Sequence, residues 1–251
     1  MSLRKHVVGN LLLSISWAAD PALATFHLMQ IEQVIGGVEG DVTAQAIQLR
    51  MRLNGQNLVS QSRIRAWDAT GSNPVILRNL NLNVSGQAPG DRVLLATPSF
   101  LSTTSPATVP EFSMSPIPES YLAAGSLTFE SDAGVVVWRV SWGGAAYTGP
   151  NNGEEPLNDS DGNFGPPVSG ALPSAGCQAL QFQGLSGAMS TTNLADYALT
   201  VGPAVWTNNS EASFALPNCI PSVSEWGLVL FSLALMTAGS MFIKRCGRLQ
   251  T

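Results

Sequence analysis

Lysine is almost missing from this chain. Of its 251 residues only Lys5 and Lys244 are lysines, and each stands near an end. Between Thr25 and Glu225 sixteen acidic residues face seven arginines, a net charge of −9. Nucleic-acid binding is driven by neutralising phosphates, so an acidic stretch without lysine excludes that class of partner. Histidine is equally scarce: His6 and His27 are the only two. His6 falls in the expected signal peptide and His27 at the very start of the mature chain, so a Ser-His-Asp triad, a Cys-His pair and a histidine-based zinc site lack their central residue. No catalytic residue is assigned, and the chain reads as a non-enzyme. Helical patterning is missing too, outside the two termini, and there is no internal repeat.

What is present begins at the C-terminus. Trp226 to Ile243 contains no charged side chain. A helix of that length spans roughly 27 Å, close to a bilayer core. Lipid offers no partners for the backbone, so a helix is the form that a single span takes. Lys244, Arg245 and Arg248 follow at once. As stop-transfer cations they place the C-terminus in the cytoplasm and the preceding chain outside. Ser222 and Glu225 have the spacing of a capping box, and Trp226 falls at headgroup level, which accounts for these residues without any enzyme.

The order Ile220-Pro221, then Ser224-Glu225-Trp226-Gly227, then an apolar span and a basic end resembles the IPTL-CTERM sorting signal of Gram-negative bacteria. The Thr-Leu of that signal is Ser222-Val223 here. The resemblance covers about the last thirty residues. It implies recognition by an exosortase-like sorting protease and a span that is temporary, with the ectodomain released or passed to a surface carrier. The N-terminus agrees: Arg4, Lys5 and His6 precede an apolar run, 7–19, and Ala22-Leu23-Ala24. That is the layout of a signal peptide over 1–24, with Thr25 as the first mature residue.

Residues 25–219 then form the exported part, long enough for one sizeable all-β domain or two small ones. Ile47, Leu49, Met51 and Leu53 alternate with Gln48, Arg50 and Arg52, the period of a half-buried strand. Val136, Trp138, Val140 and Trp142 form one face of another. Further strands are expected at 26–35, 63–68, 74–77, 92–97, 126–130, 178–183 and 197–201. Turn signals separate them, among them Gly36-Gly37, Asn54-Gly55 and Gly71-Ser72-Asn73-Pro74. The expected fold class is all-β, an Ig-like β-sandwich. Segment 98–118 reads as a loop or linker and 148–176 as a long loop, where binding usually resides. The strand Ile31-Glu32-Gln33-Val34, then Ile47-Gln48-Leu49, Pro89-Gly90-Asp91-Arg92-Val93-Leu94 and a strand ending at Trp142 also resemble a lamin-tail-type domain, which implies the same sandwich and carries no functional residue.

Several residues are candidates for chemistry. Cys177 and Cys219 either close a loop of some forty residues as a disulfide or remain two buried thiols. Asn158-Asp159-Ser160-Asp161-Gly162-Asn163 alternates oxygen-bearing side chains around a glycine. Asp159, Asp161 and Asn163 could serve a calcium ion, with Glu154 and Glu155 completing the shell, but the same composition makes an ordinary turn. No other cofactor is implied. Arg50, Arg52, Arg63 and Arg65 would share one solvent face if their strands paired through Asn54-Gly55, as a stripe for an anionic surface polysaccharide or as partners of cross-strand carboxylates. Trp138, Trp142 and Tyr147 read either as sugar platforms or as core. The expected role is a structural or adhesive protein of the cell surface or extracellular matrix. The alternative is a carbohydrate-active enzyme using a carboxylate pair such as Glu130 and Asp132, or Glu154 and Glu155.

Overall fold

The computed structural model describes residues 26–153, 158–217, 219, 232–234 and 236. Twelve strands are described: β1 (Met29–Ile35), β2 (Ala46–Met51), β3 (Ser62–Trp67), β4 (Val75–Leu80), β5 (Arg92–Ala96), β6 (Phe112–Ser113), β7 (Gly125–Ser131), β8 (Val136–Trp142), β9 (Leu180–Phe182), β10 (Tyr197–Leu199), β11 (Val205–Thr207) and β12 (Ser213–Ala215). They form a six-stranded sheet in the order β10-β9-β1-β2-β5-β6, a four-stranded sheet β4-β3-β7-β8, and the hairpin β11-β12. All pairings are antiparallel except β5 with β6. The fold is all-β and sandwich-like.

Alternation along the strands explains the packing. Met29, Ile31 and Val34 of β1 and Ile47, Leu49 and Met51 of β2 face the four-stranded sheet. They meet Ile64, Leu127, Phe129, Trp138, Val140 and Trp142 in the main core. The opposite face of the six-stranded sheet carries Ile35, Ala46, Leu94 and Ala96, which pack under Phe100, Trp206, Phe214 and Leu216. Phe100 and Trp206 meet edge to face, with ring centroids 5.5 Å apart. Trp138, Trp142 and Tyr147 are thus core residues, 5% exposed or less.

Two expectations are corrected here. β2 is buried along both faces rather than half-buried, because the β11-β12 hairpin and the turn Pro98–Ser102 cover its second side. β2 and β3 do not form a hairpin through Asn54-Gly55; they belong to different sheets. Segment 98–118 contains a 3-10 turn, Pro98–Ser102, and β6. Among the described residues no helix is long and apolar enough to cross a membrane. The expected signal peptide lies outside the described residues. So does the expected span, except for Ser232, Leu233, Ala234 and Met236, which are helical.

Cys177 and Cys219 are joined as a disulfide, 42 residues apart in sequence with Cα atoms 5.7 Å apart. Closing a loop of that length removes chain entropy from the unfolded state, worth about 4 kcal/mol. Replacing both cysteines by alanine is expected to lower the free energy of unfolding by about that amount, read from urea titrations of the parent and the double variant; an unchanged midpoint would refute it.

The turn from β3 to β4 is held by one carboxylate. Asp68 accepts N–H bonds from Ser72 and Thr70, both at 2.9 Å, the Thr70 hydroxyl at 2.7 Å and the Asn73 amide at 2.7 Å. Gly71, at φ +71°, lets this turn touch Pro150, whose Cδ would lie 2.3 Å from an added Cβ. The backbone bond from Ser72, then the Thr70 and Asn73 side chains, hold Asp68 down to about 2 from 3.8. A lowered carboxylate stabilises the fold above its unfolded value, and that contribution is lost as pH falls from 3.8 through about 2. Asp68→Asn should therefore flatten the acid limb of the stability profile between pH 4 and 2, measured by circular dichroism; an acid limb identical to the parent's would refute the assignment.

Candidate functional site

The long loop after β8 is anchored at its middle. Asn158 is fully buried and shares its two amide hydrogens among the carbonyls of His27, Met29 and Val137, at 2.5, 2.9 and 3.0 Å. One side chain therefore binds the loop to both sheets. Its own carbonyl and side-chain oxygens accept from Arg52 at 2.6 and 2.9 Å. Arg52 also donates to Ser186 O at 2.9 Å and to Ala188 O, and its guanidinium lies over the Trp138 ring. Burial lowers the Arg52 pKa, opposed by the charge of Asp159.

The calcium candidates lie in this anchored segment. Asp159 is buried, and its Oδ2 accepts the Thr191 N–H at 2.8 Å and hydroxyl at 2.7 Å. Asp161 Oδ1 accepts the Asn163 N–H at 2.9 Å, and Asn163 Oδ1 accepts the Gly165 N–H at 3.0 Å. Each side chain closes a turn of the loop. Burial pushes Asp159 up, as does its hydrogen bond with the Asp161 carboxyl, while the same bond holds Asp161 down. Glu154 and Glu155 lie outside the described residues.

The four arginines of the expected stripe are dispersed. Arg52 is the buried anchor just described. Arg50 and Arg92 flank Glu32 on the outer face of the six-stranded sheet, with Arg92 bidentate at 2.7 and 3.1 Å and Arg50 at 3.7 Å. Arg63 and Arg65 flank buried Glu130 on the four-stranded sheet, at 3.3 and 3.1 Å. No continuous cationic face results, which removes the stripe as a polysaccharide site. The carboxylates that pair them sit on β1 and β7, in the same sheets. Glu130, enclosed by two guanidinium groups, is likewise not placed for acid-base work alongside Asp132.

A cleft that the sequence did not suggest opens where β5 begins. It measures about 400 Å³ and is lined by Asp91 and Arg92 on one wall and by Thr207, Asn208, Asn209, Glu211 and Ser213 of the β11-β12 hairpin on the other. The hairpin is held down by side-chain amides: Gln48 Oε1 accepts the Thr207 N–H at 2.6 Å and Gln33 donates to Val205 O at 3.3 Å. Glu32 positions Gln48, accepting its amide at 2.7 Å. A bulge in β1 makes this arrangement, since Ile31 faces Leu49 and Gln33 faces Gln48, leaving Glu32 as the extra residue. Asn209 forms a partition: it donates to Arg92 O at 2.9 Å and accepts the Gly86 N–H at 2.6 Å. Beyond it lies a second depression of about 330 Å³ lined in part by Glu111. Burial raises the Glu111 pKa against the N–H bonds it accepts from Leu94 and Asn209. The cleft offers amide, hydroxyl, carboxylate and guanidinium groups to a polar ligand. Asn208-Asn209-Ser210 is turn composition and was the one available signal for the hairpin.

The sorting residues Ile220, Pro221, Ser224, Glu225, Trp226 and Gly227, and the cations Lys244, Arg245 and Arg248, lie outside the described residues. Comparison with protein-family models, curated proteins and solved structures finds no match for this chain.

The loop geometry makes a specific claim about Asp159. Asp159→Ala leaves the Thr191 N–H and hydroxyl buried without an acceptor, and should lower stability by about 2 kcal/mol, equally with calcium and with a chelator. Thermal melts in both conditions decide it. A calcium-dependent rise in the parent melting temperature that vanishes in Asp161→Ala would instead establish a cation site.

Proposed function

We propose that this chain is an exported protein of the bacterial cell surface or extracellular matrix, with a structural or adhesive role, delivered through a C-terminal sorting segment. The observation that carries the reading is the disulfide between Cys177 and Cys219. Disulfides persist in oxidising compartments, and this one ties down the residue immediately before Ile220-Pro221, where the resemblance to a sorting signal begins. The folded part is thus closed off at the point where the recognition segment starts. A protease reading that segment would meet an end held against the sandwich, and cutting there would leave the fold intact.

Three further features support the reading. The all-β sandwich with long braced loops fits an Ig-like ectodomain. Leu233 and Met236 are helical and exposed, as side chains that face lipid would be. The cations Lys244, Arg245 and Arg248 assign the inner side of the membrane to the C-terminus. On this reading the partners are the inner membrane, an exosortase-like protease and a surface carrier.

A second reading, a carbohydrate-active enzyme, draws on one observation: Asp91 and Glu211 approach the 400 Å³ cleft from opposite walls. It ranks below the first because no aromatic side chain lines that cleft to stack on a sugar ring, and Asp91 is engaged by the Ala88 N–H at 2.8 Å.

Mass spectrometry of the mature protein from its own host tests the proposal. The expected species begins near Thr25 and ends before Leu228. A chain recovered intact from soluble cytosol, or a reporter fused after Thr251 that is active in the periplasm, would overturn it.

A further inference from the structure

The geometry points to β10 as the edge along which two copies of this chain pair, antiparallel, about a twofold axis through Leu199. This inference does not depend on where the chain is delivered.

β10 closes one side of the six-stranded sheet, and no strand among the described residues lies beyond it. Its inward backbone groups are fixed by β9 and its neighbours. Gln183 donates to Asp196 O at 2.6 Å and Thr200 donates to Ala179 O at 2.9 Å. Alternation along an antiparallel ladder then sends the N–H and C=O of Leu199 outward. The side chains agree: Leu199 is half exposed and Val201 is wholly exposed. An exposed apolar edge of this kind is a template for another strand.

Self-complementarity selects the occupant. In an antiparallel pair centred on Leu199, its N–H donates to the Leu199 carbonyl of the second copy and its carbonyl accepts in return. Val201 of each copy falls opposite Tyr197 of the other on the same face, so the two leucines and two valines bury one another. Charge points the same way. No charged side chain occurs between Asp196 and Glu211, and the Asp196 carboxylate is occupied by the Thr192 N–H at 2.7 Å. Two copies of an acidic chain approach with least repulsion along a neutral edge. The other edges of the two main sheets are guarded. β4 carries Arg78 and follows Pro74, β8 is bridged by Val168, and β6 is two residues long between Pro110 and Pro116. An isologous contact closes on itself, so the product is a dimer and not a fibre.

The test is a cross-link across the axis. In a hydrogen-bonded antiparallel pair the facing Cα atoms lie about 5.5 Å apart, within disulfide reach. Full-length chain carrying Cys246→Ser, held in detergent micelles and mildly oxidised, is compared with Leu199→Cys and with Ile76→Cys, an exposed position on β4. Leu199→Cys should run mainly at twice the monomer mass on a non-reducing gel and return to monomer on reduction, while Ile76→Cys stays monomeric. Leu199→Lys should sediment as a monomer with an unchanged far-ultraviolet circular dichroism spectrum, because the side chain is exposed and the β9-β10 ladder does not involve its N–H. The proposal falls if the parent sediments as a monomer, if both cysteines cross-link alike (association through the apolar tail), if Leu199→Lys remains dimeric, or if Leu199→Cys is captured only by a different protein.

Discussion

The central strands of both sheets, β1 and β2 in one and β7 and β8 in the other, are buried along both faces, and one face of each sheet carries charge. That constraint organises everything outside the main core. A buried carboxylate without partners would be expelled or neutralised, so Glu32 lies between Arg92 and Arg50, and Glu130 between Arg63 and Arg65. These clusters in turn need covering. Over Glu32 the cover is the β11-β12 hairpin, fastened through Gln48 and Gln33 to its backbone. On the four-stranded sheet Arg139 donates to the Asn152 carbonyl of the long loop at 2.9 Å, and Ser141 to Asn151 at 2.5 Å. Loops that composition alone marks as adornment are therefore third and fourth layers of the fold.

The same logic explains why the Asn158–Asn163 segment resembles a cation loop. A short backbone segment that must curl tightly over buried residues needs acceptors for its own N–H groups, and Asx side chains supply them locally. Asp161 and Asn163 do so in succession, and Asn158 turns inward to join the sheets. Alternating Asp and Asn around glycine encodes this curl as well as it encodes a calcium shell. Only the direction of each oxygen distinguishes the two, and that direction is tertiary information.

Period-two alternation in Trp138–Trp142 and Ile47–Met51 made the two central strands legible, and turn residues bounded the others to within a few positions. A bulge in β8 sets Val136 opposite Glu130 and off the face of Trp138, Val140 and Trp142. What stayed hidden has identifiable causes. β6, β11 and β12 are two or three residues long, too short to show any period. Arg50 and Arg52 follow one another on alternate positions in sequence, yet Arg50 lies on the sheet's outer face and Arg52, just past the end of β2, turns onto Trp138. Asn54-Gly55 suggested a hairpin, but the strands it separates enter different sheets, because the apolar sides of β2 and β3 are satisfied by facing each other across the core rather than lying side by side. The cleft at Asp91 and Glu211 joins segments more than a hundred residues apart, and no local pattern records such a meeting.

The scarcity of lysine acquires its meaning only in the folded state. None of the seven arginines between Thr25 and Glu225 is exposed. Six of them lie against a buried or half-buried partner: Glu32 takes Arg50 and Arg92, Glu130 takes Arg63 and Arg65, Trp138 takes Arg52, and Ser126 takes Arg139, which also reaches the long loop. A guanidinium can make several directed bonds from a desolvated position, whereas an ammonium on a flexible stem is better suited to open water. Cations are thus used here as internal fasteners, and the outer surface is left to carboxylates and neutral polar groups. That choice has a cost at the sheet edges. Proteins commonly blunt an exposed edge with lysine, and the stretch from Thr25 to Glu225 has none to place there. Its edges must be defended by cover, by proline or by shortness, and β10, with Leu199 and Val201 open, is the edge that receives none of the three except its brevity.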